Sequence, residues 1–206
     1  SSFDTSNVTD MDHMFASLRS LPSLDVSHFD TSNVTDMYGM FINCEKVASL
    51  NVSNFDTSKV TNMSYMFAAT YKITSLNLSN FNTSNVTNMS GMFSGCEKLA
   101  SLNISSFNTA TVTDMSNMFN ECTELTTLNL THFDTTNVKN MGNMFLMTKK
   151  ITSLDLTSFN TAKVTNMYSM FESSGVTIVK VSNKWVTAPI ATDMFKYAPA
   201  TGVTVV

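Results

Sequence analysis

The chain has 206 residues, with twelve Lys and Arg against sixteen Asp and Glu, for a formal net charge of −4. Only 14% of residues are charged, which excludes the strong field of a nucleic-acid or anionic-membrane binder. At 43% apolar the composition is not that of a disordered chain, nor of a collagen, a disulfide scaffold or a membrane span.

Ser, Thr and Asn supply 78 of the residues, and the 16 Met outnumber Gly, Pro and Cys together. Along the chain a unit of 26 residues recurs without insertion or deletion. Phe3, Phe29, Phe55, Phe81, Phe107, Phe133 and Phe159 mark one column. Val8 to Val164, Met11 to Met167, and the pairs Met14-Phe15 to Met170-Phe171 keep the same step. Each unit holds L-x-x-L-x-L, as in Leu99, Leu102 and Ile104, whose alternation predicts a short strand. It also holds V-T-x-M-x-x-M-F, as in Val86 to Phe93, whose apolar spacing of i, i+3, i+6 and i+7 predicts a short helix or 3-10 turn. A Thr three residues before each Val, from Thr5 to Thr161, is placed to cap that helix. No unit can bury its own face, so the units must stack. The expected fold is an α/β solenoid, with a parallel sheet on one face and short helices or 3-10 turns on the other. Residues 1–175 hold seven repeats, the first truncated at its N-terminus. Residues 176–206 hold an irregular eighth, in which Trp185 and Ile190 keep their places and Met194-Phe195 arrives early. It is expected to act as a C-terminal cap.

L-x-x-L-x-L-x-x-F resembles the leucine-rich repeat, with Phe where that family usually carries Asn. The whole unit resembles the 26-residue repeat of BspA-like bacterial surface proteins. That resemblance implies a right-handed stack, export, attachment to the bacterial cell surface or cell wall, and adhesion to host protein or mucus. Such proteins carry a signal peptide and an anchor; neither is visible here. The chain opens at Ser1-Ser2-Phe3, past the strand of its own repeat, so a fragment of a longer chain is expected. Its open N-terminal rung makes end-to-end self-association a further expectation.

Catalytic chemistry has little support. His28 and His132 share a column four repeats apart, roughly 19 Å, too far to share a metal. There is no glycine-rich phosphate loop and no convincing nucleophile–base pair. Cys44, Cys96 and Cys122 share one column and are expected as free, buried thiols. Neither a metal nor another cofactor is expected, nor is enzymatic activity.

The strand face offers a ladder of hydroxyl, amide, hydroxyl: Ser75, Asn77 and Ser101, Asn103, with Asn51, Asn129 and Asp155 in the amide column. These seven residues are the candidate ligand-binding set. Tyr38, Tyr65, Tyr71 and Tyr168 are the candidate anchors for a partner. The leading expectation is non-enzymatic adhesion to a host extracellular protein, mucin or glycan by multivalent contacts, without nucleic acid or membrane insertion. One alternative is a stalk presenting another domain. A second is ice or crystalline-surface binding through the Thr ladder, although capping accounts for the same column.

Overall fold

The turn segments carry the stack, and the reason lies in how their amides are shared. In Met11–Ser17 the amides of Met11, His13, Phe15 and Ser17 donate to the carbonyls of Asp36, Tyr38, Met40 and Ile42, one repeat further on. The amides between them turn inward: Met14 N–H closes onto the Met11 carbonyl and Ala16 N–H onto that of His13. The pattern recurs in Met89–Gly95, which bonds to Asp114, Ser116, Met118 and Asn120. Such alternation needs a residue with positive φ in each closing turn. The column His13, Gly39, Tyr65, Gly91, Asn117, Asn143 and Ser169 lies at φ between 50° and 61°, and a second column runs from Ser17 to Ser173. A non-Gly residue held there costs of order 1–3 kcal/mol, so the lateral bonds of the stack must fix it.

Here the structure, a computed structural model describing residues 3–206, corrects the sequence reading. The expected helices and 3-10 turns are absent among the described residues. Apolar residues three apart do share a face, but they do so through overlapping tight turns, each closed by an amide onto the carbonyl three residues back and recurring at every second residue. A helix would need its amides for itself; these are given alternately to the neighbouring repeat. Ser1 and Ser2, the start of the expected 1–175 span, lie outside the described residues.

Seven parallel bridges follow from that sharing, from Asp10↔Asp36 to Asn166↔Ile190, and they join all eight copies. The strands pair less widely. β1 (Ser75–Asn77) pairs in parallel with β2 (Ser101–Asn103), and β3 (Ser153–Leu156) with β4 (Ile178–Val181), which pairs with β5 (Thr204–Val205). The sheet is therefore two pieces, and the uninterrupted hydrogen-bonded spine lies on the turn side. Between β3 and β4 the step is 25 residues (Ser153↔Ile178), so the irregular last repeat still joins the stack.

The core is a set of columns. Val34 to Val138, Met37 to Met167 and Met40 to Met170 are fully buried. Phe41, Phe67, Phe93, Phe119, Phe145 and Phe171 stack ring on ring at 5.5–5.8 Å, and Phe195 continues the row. At the first repeat Phe3 is 77% exposed.

Candidate functional site

The strand face is where polar side chains project and where the stack comes apart. Next to β1, the segment Ser49–Val52 makes no backbone hydrogen bond to the repeat on either side; the nearest is Ala48 N–H to the Pro22 carbonyl. Next to β2, Thr126–Leu130 likewise has none, and the last bond before it is Glu124 N–H to the Glu97 carbonyl. Leucines register the difference. Where strands pair, Leu76 and Leu154 are 3% and 1% exposed; Leu50 and Leu128 are only half-buried, as is Leu102 of β2 beside the second gap. A depression of 340 Å³ lies over Leu50 and one of 540 Å³ over Leu102 and Leu128.

All seven sequence-predicted face residues are exposed. Their amides are partly committed. The Oδ1 of Asn51, Asn77, Asn103 and Asn129 accepts the amide of the residue two ahead, turning the chain out of the strand. Asp155 does the same with Thr157. The Thr157 hydroxyl, and then its amide, hold the Asp155 carboxyl below the usual carboxylate range. The Asn amino groups are left to act outward; that of Asn103 donates to Asn77 Oδ1 at 3.0 Å. The face therefore supplies donors and acceptors at a fixed repeat but no strong charge.

The Thr column is not a set of helix caps. Thr83 is fully buried, and its hydroxyl donates to the Asn108 carbonyl while accepting the Asn108 amide, both at 2.8 Å. Thr57, Thr109 and Thr135 make the same pair of bonds to Asn82, Asp134 and Asn160. Each hydroxyl thus stands in for one missing backbone bridge between repeats. The column is 0–4% exposed, so it cannot face ice or a crystal.

A clamp that the sequence reading missed sits one residue before Phe55, Phe81, Phe107 and Phe133. Asn54 and Asn80 donate to two carbonyls of the preceding repeat, Ser106 does so through its hydroxyl, and His132 Nε2 bonds to the Ile104 carbonyl at 3.1 Å. The signal was a polar residue always in that place. Ser49, Ser53, Thr127 and Ser153, which strand alternation also places outward on this face, line the depressions.

Of the four tyrosines, only Tyr38 and Tyr65 come together, edge to face at 6.0 Å, with His13 against Tyr38 at 4.8 Å. Tyr71 lies beside Gly95, and Tyr168 stands alone, 43% exposed. The three cysteines are free and buried, each thiol donating to a Phe carbonyl of the preceding repeat. Burial pushes the Cys96 thiol up to about 12. Among the described residues no three His, Cys, Asp or Glu converge on a metal-sized site, and no helix is long and apolar enough to cross a membrane.

No curated protein and no solved structure matches the chain. A family-wide sequence pattern described as "Mycoplasma protein of unknown function, DUF285" matches residues 1–101 and again residues 98–202. With nearly the whole length covered in two consecutive matches, the chain belongs to the DUF285 family.

Proposed function

We propose that this chain is a non-enzymatic repeat region of a bacterial surface protein, of the BspA-like kind, built as a right-handed solenoid and adhering to an extracellular host protein, mucin or glycan along its strand face. The observation that carries the reading is the register there: Ser75 stands beside Ser101 and Asn77 beside Asn103 on paired strands, all exposed. Near-identical groups at a fixed repeat favour many weak contacts with an extended partner over one tight pocket, and avidity then supplies the strength. The absence of formal charge around most of the face fits a neutral or weakly charged partner.

The test is binding of the purified chain to immobilised mucin, fibronectin, fibrinogen and collagen. Saturable binding that Asn77→Lys with Asn103→Lys abolishes supports the reading. Binding that survives the pair, or no binding at all, overturns it. A second reading, a stalk that holds another domain away from the cell, draws on the unbroken turn-side spine and the Thr clamps, which make a stiff rod. It expects whole 26-residue units to be deleted with only a change in length.

A further inference from the structure

We propose that the two places where the strand face comes apart, over Leu50 and over Leu102 and Leu128, are seats for units of a neutral carbohydrate chain. The proposal rests on the strand-face reading above and names its ligand class.

Unpaired backbone is the first argument. Interior amides and carbonyls almost always find partners. In Ser49–Asn51 and Thr126–Asn129 these groups lack a neighbouring strand, although the strands on one side of each gap, β1 and β2, pair with each other; the carbonyls that follow, of Val52 and Leu130, are already taken by Phe55 and Asn80 and by Phe133 and Ser158. A ligand that fills the gap must therefore both donate and accept hydrogen bonds. Leaving such groups dry beneath an apolar ligand would cost about 1–3 kcal/mol each.

The lining is the second argument. The cavity over Leu50 is bordered by Ser49, Asn51, Ser75, Asn77 and Asn80, with no charged residue. The larger one is bordered by Thr127, Asn129, Ser153 and Asp155, the last an acceptor for hydroxyls. Neither holds a cation, so an anionic ligand would lose its hydration without a partner. Hydroxyls and amides around a leucine floor suit a sugar ring, which has hydroxyl edges and a C–H face. The volumes, 340 and 540 Å³, fall in the range of about 300–1,000 Å³ used by small-ligand sites. The gaps lie about three repeats apart, or roughly 14 Å at strand spacing. One oligosaccharide can reach both, and the second contact is then intramolecular.

Titration of the whole chain by amide NMR, with cellotetraose, maltotetraose and chitotetraose as probes, tests the proposal. The expected result is that at least one probe shifts the amides of Leu50, Asn51, Leu128 and Asn129 and leaves Lys180, on the paired strand β4, unmoved. Ser49→Trp with Thr127→Trp, which fills both seats from exposed positions, should weaken that binding at least tenfold with far-UV circular dichroism unchanged. Shifts produced only by a heparin tetrasaccharide or by an extended neutral peptide overturn it, as does an unaltered affinity in the filled variant. If no sugar moves these amides while the Asn77→Lys, Asn103→Lys pair still abolishes attachment to a host protein, the carbohydrate assignment fails and the strand-face reading stands. If sugars bind in the gaps while that pair leaves attachment intact, the reverse holds.

Discussion

Replacing Thr83 by Val separates an inter-repeat clamp from a helix cap. The substitution keeps the branched shape and removes the hydroxyl. In the structure that hydroxyl serves both the amide and the carbonyl of Asn108, at 2.8 Å each, from a fully buried position. Two neutral hydrogen bonds contribute about 1 kcal/mol each, so the loss is about 2 kcal/mol, rising to ~4 kcal/mol if the Asn108 groups stay dry. With a urea slope of roughly 2 kcal/mol per M, the midpoint falls by about 1 M or more. Thr87 is the control: it is exposed, and the Thr61 carbonyl it reaches at 3.2 Å already accepts the Thr87 amide. Thr87→Val should cost under about 0.5 kcal/mol. Hydrogen exchange adds a local readout, because Thr83→Val should expose the Asn108 amide, which lies in the next repeat. Equal small losses in the two variants, with Asn108 still protected, would refute the clamp.

Further outcomes follow from the same geometry. Gly175→Ala should unfold the chain at markedly lower urea, by more than about 2 kcal/mol, since an added Cβ would meet the Lys149 carbonyl oxygen at 2.1 Å. Phe119→Ala, in the middle of the ring stack, should cost about 3–5 kcal/mol in the same assay. The carboxyls of Asp30, Asp56, Asp134 and Asp155 are lowered, chiefly by the hydroxyl of the residue two ahead. Their stabilisation is complete above the ordinary Asp value of about 3.9 and is lost as pH falls through the lower folded values. Urea midpoints should therefore be flat from about pH 5 to 7 and drop below about pH 4, less steeply in Asp155→Asn. The three thiols should stay silent to a thiol reagent until urea unfolds the stack, because burial raises the Cys96 and Cys122 thiols and removes access.

How much of the candidate site was legible differs from residue to residue. The outward column Asn51, Asn77, Asn103, Asn129 and Asp155 followed from strand alternation alone, and all five are exposed. Thr83 was read as a local cap because sequence shows a Thr before an apolar run. It does not show that the amide received lies 25 residues away. Tyr38 and Tyr65 sit one place apart in their repeats, and only the turn geometry brings their rings to 6.0 Å.

The sequence by itself determined the 26-residue unit, the stacking of units, and the burial of the Val and Met columns, because periodicity and side-chain size act independently of chain path. Tertiary structure alone decided that V-T-x-M-x-x-M-F makes turns rather than helix. An amide can be spent within its own turn or on the neighbouring repeat, and that choice depends on a neighbour being there. It likewise decided that the turn-side spine is continuous while the strand side is broken around Leu50 and Leu128, since nearly identical strand sequences pair in one interval and part in the next.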